Sequence, residues 1–524
     1  MARYVLAADY TLMTDYRHVP LVTFFSCIPE DYWYSRLVFR ILANPPELDP
    51  AGLPIRAPYG LRKVEASLVR ARGRDAVVVA DPSTVDRVID NETEIVGLHS
   101  MDPLGLGPVS MSFTAGGTLT PYTKVKFLEL VRSVQQPGRR YKIVLGGPGA
   151  WQFDCREGMR EALGIDHIVH GETDHIVPGI LDRVASGEAP AVMRFTNATA
   201  PSVEQVPKIL GPSMHGMVEV MRGCGRGCGF CEVTLRKTRY FPLDYVAEEV
   251  AVNTRAGSTT IQLHSDDIFL YGLENWRTME PNEDAVKALF AHVMHLPRVR
   301  HCYPTHGTVS AAVTNPGLIR DLSEIVHAGP DKWIGIQSGI ETGSPRISRQ
   351  VLHRKAAPFS PEEWPDVVVQ GTEILNRNHW FPAYTIILGL PGETPEDAWM
   401  TVDLIDRMEQ IPGGHFITAP LTFVPVGALR GQEFYNLDEQ VDEARFNVAY
   451  RAWRHIVLET ERGLWRMTRL PLPIRILVVA TARLGSRYVL GLMDRYARRR
   501  GFRIRRPATT QREADGHVTR TSAA

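Results

Sequence analysis

Residues 221–231 read Met-Arg-Gly-Cys-Gly-Arg-Gly-Cys-Gly-Phe-Cys and bring three cysteines into one short loop, Cys224, Cys228 and Cys231. The glycines between them let the backbone wrap closely around an inorganic core. Three thiolates can hold an iron–sulfur cluster and leave one iron open to bind and reduce a substrate. The alternative is a structural zinc ion, which needs four ligands, and the nearest downstream histidine is His264. The loop therefore favours a [4Fe–4S] cluster held by three catalytic cysteines.

The composition of the 524-residue chain is that of a folded protein with enough apolar material for two or three domains, since 44% of its residues are hydrophobic. Lys+Arg and Asp+Glu both number 59, so no overall charge points to a nucleic-acid partner. Six cysteines are too few for a disulfide scaffold, and the N-terminal segment lacks the apolar core of a signal peptide. We expect a cytoplasmic protein that does not bind nucleic acid.

The first part of the chain alternates short β-branched runs with helical patterns, which is typical of a parallel sheet. The strand candidates are Tyr4–Ala8, Ala76–Ala80, Ile95–His99, Lys142–Leu145 and His167–Val169. The helix candidates between them are Leu61–Arg72, Lys124–Val134 and Glu157–Leu163. Residues 1–205 are therefore predicted to form a doubly wound, flavodoxin-like α/β domain that binds its ligand beyond the carboxyl ends of the strands. The stretch from Thr14 to Tyr59 fits this scheme poorly and is expected to be an irregular insertion.

The alternation of strands and helices resumes after a linker near residues 196–212. The strand candidates are Val218–Met221, Thr260–His264, Cys302–Thr305, Trp333–Gln337, Ala383–Leu388 and Phe416–Phe423. Six such units predict a partial (β/α)6 barrel over residues 206–430, with its chemistry at the carboxyl ends of the strands. Residues 431–505 have a helical pattern, and residues 506–524 are predicted to be a disordered tail.

The cysteine loop, with Phe230 just before its last cysteine, resembles the hallmark of the radical S-adenosylmethionine (radical SAM) superfamily. Residues 262–269, 335–343 and 386–394 resemble the segments that contact the methionine, ribose and adenine of SAM in that family, although many relatives have Glu where Gln337 stands. The resemblance implies that SAM contacts Phe230, Asp266, Asp267, Gln337, Ser338, Glu341, Gly389, Pro391, Gly392 and Glu393. It also implies reductive cleavage of SAM to a 5′-deoxyadenosyl radical that abstracts hydrogen from an inert carbon.

A doubly wound domain in front of such a barrel resembles the cobalamin-binding domain of class B radical SAM enzymes. The resemblance rests on residues 97–102, 145–149 and 166–174. It implies that cobalamin contacts Ser100, Met101, Gly146, Gly147, Gly171 and Glu172. The chain has no Asp-x-His-x-x-Gly motif, so no axial histidine to cobalt is assigned. The alternative is that these loops are ordinary turns that bind another nucleotide or nothing, and His99, His167 and His170 fit packing roles better than metal ligation.

The class B resemblance implies methyl transfer from SAM, through cobalamin, to an unactivated carbon of an unknown substrate. Two alternatives stay open: a cobalamin-dependent cyclisation or rearrangement without methyl transfer, and a non-catalytic cobalamin or cluster sensor. The methylthiotransferase branch of the superfamily needs three further upstream cysteines, whereas only Cys27 and Cys155 precede the loop. An external electron donor is expected in either enzymatic case.

The C-terminal pattern offers the one indication of the substrate. A largely apolar stretch over residues 474–493 contains Arg475, Arg483 and Arg487 and is followed by a basic run. Each arginine near a bilayer centre costs roughly 2.5–3.5 kcal/mol, which argues against a membrane span. An interfacial helix would suit a lipid-like or tetrapyrrole substrate rather than another small molecule, and would give a weak, peripheral membrane contact. The alternative is a helix that caps the barrel.

Overall fold

The computed structural model describes residues 2–16, 20–466 and 472–506. The tail predicted to be disordered over residues 506–524 lies, apart from Arg506, outside the described residues. Within them the chain forms an α/β fold that contains two parallel sheet systems and a C-terminal helical region.

The N-terminal sheet has six parallel strands in the order β2-β1-β3-β4-β5-β6. Their bounds are Tyr4–Ala8 (β1), Val77–Val79 (β2), Ile95–His99 (β3), Lys142–Gly146 (β4), His167–His170 (β5) and Val192–Arg194 (β6). The first five lie where the sequence pattern predicted strands. The sixth was not predicted, because its three residues, Val192–Arg194, lack the β-branched run that marks the equally short β2.

Helices cover both faces of this sheet. They are Tyr10–Met13 (α1), Trp33–Leu42 (α2), Tyr59–Arg72 (α3), Val85–Val88 (α4), Pro108–Phe113 (α5), Tyr122–Ser133 (α6), Met159–Ala162 (α7) and Val177–Ala185 (α8). Along β1, Val5 and Ala7 belong to the apolar cluster that includes α6. Leu6 belongs to the opposite cluster, which includes α3 and α8. Alternate side chains thus bury both faces, as a doubly wound sheet requires.

The segment expected to be an irregular insertion is partly regular, which corrects the prediction. It contains a 3-10 helix, Pro20–Cys27, and the ten-residue helix α2. The ring of Phe39 in α2 stacks on Tyr122 of α6 at a centroid distance of 3.9 Å. Aromatic and β-branched residues dominate α2, and their low intrinsic helix propensity conceals the helix from pattern analysis.

The second sheet system has six parallel strands in chain order. They are Met217–Glu219 (β7), Thr260–His264 (β10), His301–Pro304 (β11), Ile334–Glu341 (β12), Trp380–Leu388 (β13) and Ile417–Thr422 (β14). The first three and the last three form two sheets, joined where Gln337 donates its N–H to Thr305 O (2.9 Å) and accepts from Gly307 N (3.0 Å). Met221–Arg222 (β8) and Arg239–Tyr240 (β9) pair as an antiparallel hairpin.

Helices follow these strands and shield one face of them. They are Leu243–Arg255 (α9), Glu283–His295 (α10), Val309–Thr314 (α11), Pro316–Ile325 (α12), Pro345–Ile347 (α13), Trp364–Arg377 (α14) and Pro395–Glu409 (α15). The apolar layer beneath them includes Ile336 and Ile340 of β12 and Tyr384 of β13. Alternate positions, such as Gln337 and Thr385, therefore line the opposite, inner face of the curved sheet.

The C-terminal region is helical, as predicted, with Leu437–Gln440 (α16), Glu443–Arg466 (α17) and Leu472–Arg500 (α18). Helix α17 packs against α15 and β14. Its fully buried Arg451 pairs with Asp406 and Glu409 of α15, each at 2.5 Å. This helix closes the side of the barrel beyond β14.

The two sheet systems contact each other through connections at the carboxyl ends of their strands. Arg222, beyond β7, donates to Glu172 and Asp174, beyond β5, each at 2.8 Å. At the last residue of β14, the N–H of Thr422 donates to Ser112 of α5 at 2.8 Å. The edges where each sheet is expected to bind ligands therefore face one another.

Candidate functional site

The cysteine loop connects β8 to β9 and depends on its glycines. Gly223, Gly225 and Gly227 all have positive φ (72°, 67° and 86°). A Cβ on Gly225 would lie 2.3 Å from the ring of Trp276, and one on Gly223 would lie 2.8 Å from Arg236 O. Only glycine fits both the backbone conformation and the close approach, so the tight loop is specified by the sequence.

The three thiols of the loop lie in a shielded environment. Burial raises the pKa of Cys224 to about 11 and that of Cys228 to about 12, and it also raises the pKa of Cys231. A cluster that accepts one thiolate per iron fits this donor set better than a lone zinc ion does.

Three other segments hold the loop at the mouth of the barrel. The N–H of Gly229 donates to Val351 O, beyond β12, at 2.9 Å. Its carbonyl accepts from Leu429 N, beyond β14, at 3.1 Å. Buried Arg226 donates to Asp267, beyond β10, at 2.8 Å. The cysteines are thus fixed to the carboxyl ends of three barrel strands.

The two acidic residues predicted near SAM differ in their surroundings. Asp267 is fully buried and accepts from Arg226 and from the hydroxyl of Thr308 at 2.6 Å, so its oxygens hold the loop in place. Asp266 accepts the N–H of Gly223 at 2.5 Å and lies 3.9 Å from Arg236. Both carboxylates therefore contact the cysteine loop, Asp267 through the side chain of Arg226 and Asp266 through the backbone of Gly223.

The inner face of the barrel carries a buried ion pair close to the cysteines. Lys355 donates to Glu341 at 3.1 Å, and Glu341 also accepts from Thr385 at 3.0 Å. Burial opposes the charge on Lys355, but Glu341 and the Cys228 thiol outweigh this effect and raise the pKa of the ammonium. A Cβ on Gly339 would overlap the Glu341 carboxylate, 1.7 Å away, so a glycine is required beside the pair.

A buried polar atom near these residues is left for a ligand to satisfy. Gln262 Oε1 in β10 and Ser338 Oγ in β12 are buried and have no hydrogen-bond partner within the described residues. Gln337, next to Ser338, lies where the two three-stranded sheets join. Buried polar groups without partners are rare in folded proteins, so Gln262 Oε1 fits a site that receives a polar molecule, whereas Ser338 shares the helix-covered face of β12 with Ile336 and Ile340.

The residues predicted near adenine form a turn after β13. Gly389, with φ of 77°, donates its N–H to Glu393 at 3.0 Å, and a Cβ on it would lie 2.0 Å from the ring of Tyr435. Glu393 is paired with Arg445 of α17 at 2.7 Å. The carbonyls of Pro391 and Gly392 accept from Gln350 and Arg346. Glu393 therefore ties the turn to the C-terminal helices, and the backbone is the part available to a base.

Two of the loops predicted to contact cobalamin lie side by side. The N–H of Gly149 donates to Ser100 O at 3.1 Å, and Gly147, with φ of 95°, packs against His99. Met101 is 57% exposed, and a Cβ added to Gly146 would meet no atom within 4 Å. Met101 and Gly146 therefore form an open, weakly polar surface at the carboxyl edge of the first sheet.

The third loop predicted to contact cobalamin, which contains Gly171 and Glu172, contacts the barrel instead. A Cβ on Gly171 would lie 2.2 Å from Phe195 O. Glu172 accepts from Arg222 and Arg239, which flank the cysteine loop. This loop therefore links the first sheet to the barrel, and the structure does not bring Glu172 to the open surface around Met101.

The three N-terminal histidines have packing partners. His99 lies between Gly60 and Gly147, and burial lowers its pKa to about 4. His167 Nδ1 lies 2.9 Å from Pro190 O, and His170 Nε2 lies 3.6 Å from Asp154. His170 Nε2 has no hydrogen-bond partner within the described residues, so the packing role of this histidine stays a prediction.

Sequence reasoning missed the charged residues that organise the site. Lys355 lies outside every motif, and Arg222 was passed over although it directly precedes Gly223. Lys355 pairs with Glu341, 14 residues earlier, and Arg222 pairs with Glu172, 50 residues earlier. The available signal was the position of Arg222 beside the cysteine loop, where a charge needs a partner.

Comparison with known proteins identifies the barrel. Residues 218–405, from β7 into α15, match the family model of the Radical SAM superfamily. An uncharacterized protein of Methanopyrus kandleri is 24% identical over 425 residues, which cover 68% of this chain and 75% of that protein. The tRNA-2-methylthio-N(6)-dimethylallyladenosine synthase of Idiomarina loihiensis is 24% identical over 342 residues, and the chain spans 65% of its length, less than two thirds.

Two solved structures of TsrM, a radical S-adenosylmethionine methyltransferase from Kitasatospora setae, have a similar fold. The one with cobalamin and a [4Fe–4S] cluster bound has a TM-score of 0.50 at 14% identity, covering 82% of this chain and 74% of that one. The one with tryptophan and a SAM analogue has a TM-score of 0.51 at 13% identity, covering 82% and 75%. Residues 218–405 are therefore a radical SAM domain, within an α/β fold similar to that of TsrM.

Proposed function

We propose that this chain is a cobalamin-dependent radical SAM enzyme that transfers a methyl group to an unactivated carbon of a small-molecule, lipid-like or tetrapyrrole substrate. The observation that carries the proposal is that the carboxyl edge of the N-terminal sheet lies against the carboxyl edge of the barrel. The cysteine loop and the open surface at Met101 and Gly146 both lie at carboxyl ends of strands, in sheets whose carboxyl ends contact each other. A substrate between them would be within reach of both cofactors.

The residues present fit the three cofactors. Cys224, Cys228 and Cys231 would hold the cluster, and the inner barrel face around Gln262 and Gln337 would hold SAM. With SAM, the cluster supplies one-electron chemistry that activates an inert C–H bond. The chain's own contribution is to fix the loop through Arg226 and Asp267, to hold a buried cation, Lys355, beside the thiolates, and to keep water out of the barrel.

The cobalamin assignment rests on the N-terminal edge. The loops containing Ser100, Met101, Gly146 and Gly147 would contact the corrin, whereas Glu172 would act through the domain contact. A strand order of β2-β1-β3-β4-β5 is that of flavodoxin-like domains, which bind ligands at this edge. The open position at Gly146 gives a flat macrocycle close access to the backbone.

A second candidate is methylthiotransfer, which the sequence similarity to tRNA-2-methylthio-N(6)-dimethylallyladenosine synthases favours. That branch uses a second cluster on three upstream cysteines. This chain has only Cys27 and Cys155 upstream of the loop, and burial raises the pKa of Cys27 to about 12. The methyl-transfer proposal accommodates the cysteine content without a second cluster.

The test is anaerobic reconstitution of the full chain with iron, sulfide and cobalamin, followed by SAM carrying a deuterated methyl group and a strong reductant. We expect about four irons per chain, bound cobalamin, 5′-deoxyadenosine, and methylcobalamin that contains the deuterated methyl group. About eight irons without bound cobalamin would overturn the proposal in favour of methylthiotransfer. Bound cofactors without any nucleoside product would indicate a sensor.

A matched pair of variants controls the reconstitution. Cys302→Ser changes a buried cysteine in β11, away from the loop, and should retain iron and nucleoside formation. Cys231→Ser should lose both. If both variants bound the same amount of iron and formed the same amount of nucleoside, the assignment of the cluster to the loop would be contradicted.

A further inference from the structure

The helices α2 and α18 expose an unusual share of the protein's large apolar side chains. Among the described residues twelve such side chains are exposed, and seven of them lie on these two helices. They are Trp33, Leu37, Leu472, Ile476, Leu477, Leu484 and Tyr488. Trp33 is 75% exposed and Leu484 is 70% exposed. Concentrated exposure of this kind marks a surface that another apolar phase covers.

The two helices, more than 400 residues apart in sequence, form one surface. Tyr34 of α2 contacts Tyr488 of α18 edge to face, with ring centroids 6.0 Å apart. On α18, Leu477, Leu484 and Tyr488 are spaced seven and four residues apart, so they follow one side of the helix. We call these side chains, with Trp33 and Leu37, the α2–α18 surface.

The charge around this surface is one-sided. Helix α18 contains seven arginines and a single acidic residue, Asp494. Arg487 is exposed within the apolar part, and Arg498 and Arg499 are exposed at the C-terminal end. An apolar strip edged by arginines, with tryptophan and tyrosine beside it, complements the anionic interface of a phospholipid bilayer.

The helix packs on α17 near its C-terminal end, in addition to its contact with α2. Near its C-terminus, Tyr496 stacks with Phe446 of α17 at 5.9 Å and contacts Phe502 at 6.4 Å. The segment Arg475–Arg500 is long and apolar enough to cross a membrane, with a mean hydropathy of 1.4 in its most apolar window, yet little of that window is buried in the protein. The packed C-terminal end and the central Arg483 and Arg487 favour a helix that lies in the interface.

We infer that the α2–α18 surface docks the protein on anionic phospholipid membranes, with the apolar side chains inserted among the acyl chains and the arginines at the head groups. The inference is independent of the proposed reaction. It predicts that the holoenzyme binds vesicles that contain an anionic lipid and binds neutral vesicles much more weakly. It also predicts that apolar and basic residues contribute separately.

The apolar contribution is tested by co-sedimentation of the reconstituted full chain with vesicles of 70% phosphatidylcholine and 30% phosphatidylglycerol. The double variant Leu477→Asp, Leu484→Asp should reduce vesicle binding at least tenfold. Met400→Asp, at a 46% exposed apolar position on α15, is the matched control and should bind as the unmodified protein does. Equal binding by all three proteins would overturn the inference.

The basic contribution is tested with Arg487→Gln, Arg498→Gln and Arg499→Gln combined. Each arginine is expected to contribute about fivefold on anionic vesicles, so the triple variant should bind roughly 100-fold more weakly. Arg320→Gln, Arg377→Gln and Arg407→Gln remove three exposed arginines elsewhere and should have no effect. The competing occupant of the surface is a second copy of the chain, which sedimentation velocity would detect as a dimer. The inference would be overturned if Leu484→Asp dissociated such a dimer and the unmodified chain did not bind vesicles.

Discussion

The carboxyl edge of the barrel and the carboxyl edge of the N-terminal sheet are built differently. The barrel edge is enclosed and charged, with Arg226–Asp267 and Lys355–Glu341 held in buried pairs. The N-terminal edge is open and weakly polar at Met101 and Gly146. A closed, prearranged site suits a cluster and a small charged cosubstrate, whereas an open surface suits a large, flat ligand that covers it.

The largest expected effect comes from removing a cysteine of the loop at the carboxyl edge of the barrel. Cys228→Ala should abolish the formation of 5′-deoxyadenosine and reduce bound iron to background, because two thiolates do not hold the cluster. The chain should still fold, since the loop lies at the mouth of the barrel. Circular dichroism, iron analysis and product chromatography measure the three properties. Retention of full SAM cleavage would contradict the assignment of the cysteines.

The next effect concerns the buried pair. Lys355→Met leaves the Glu341 carboxylate buried without its cation and should lower the free energy of unfolding by about 3–5 kcal/mol. The double variant Lys355→Met, Glu341→Gln should recover most of this loss in chemical denaturation. Lys287→Met, which removes surface ion pairs with Glu283 and Asp321, is the control and should lower the free energy of unfolding much less. Equal effects at both lysines would show that the barrel interior is wetter than the contacts imply.

A pair of glycine substitutions sharpens the comparison directly. Gly146→Val places a side chain on the open edge and should weaken cobalamin binding about tenfold, about 1.4 kcal/mol, without changing iron or SAM binding. Gly392→Val acts at a backbone with φ of 79° and should weaken SAM binding while leaving cobalamin bound. Equilibrium dialysis of each ligand separates the two. Loss of both ligands in both variants would mean that the edges form one site.

The smallest effect is a pH dependence of stability. Burial lowers the pKa of His99 to about 4, so between pH 6.5 and pH 4 the unfolded chain binds a proton that the folded chain excludes. The free energy of unfolding should therefore fall as the pH falls, by about 1 kcal/mol per pH unit from this residue. His99→Gln should reduce the slope in urea denaturation at pH 7 and pH 5. An unchanged slope would contradict the burial of the imidazole.

The local sequence pattern predicted most of the strands and the cysteine loop, but it predicted less of the contacts between elements. The strands from β1 to β14 with an uninterrupted apolar pattern, and the glycine-rich cysteine loop, follow from short-range sequence because their side chains alternate or their backbone demands glycine. Helix α2 was missed because its residues favour strands in isolation and become helical through packing on Tyr122. The pairs of Lys355 with Glu341 and of Arg222 with Glu172 could not be predicted, since the fold brings them together, although Arg222 also pairs with nearby Glu219.

The functional predictions have the same division. The radical SAM domain was predicted correctly from motifs that lie along one stretch of chain. The cobalamin contacts, the methyl transfer and the domain bounds stay predictions, because they depend on how two sheets meet. Glu172 illustrates the difficulty: its motif indicates a ligand loop, yet its carboxylate pairs with Arg222 and Arg239 of the barrel.

The join between the two three-stranded sheets of the barrel has a mechanical consequence. Among the described residues, the backbone hydrogen bonds between the β11 and β12 segments are those of Gln337 with Thr305 and Gly307, whereas β12 and β13 pair over seven positions. Such a join is the most compliant line in the wall of the barrel, because little work is needed to part it. Amide hydrogens at Gln337 and Gly307 should exchange with solvent before those within either half, and the wall can widen there as a cosubstrate enters or its fragments leave.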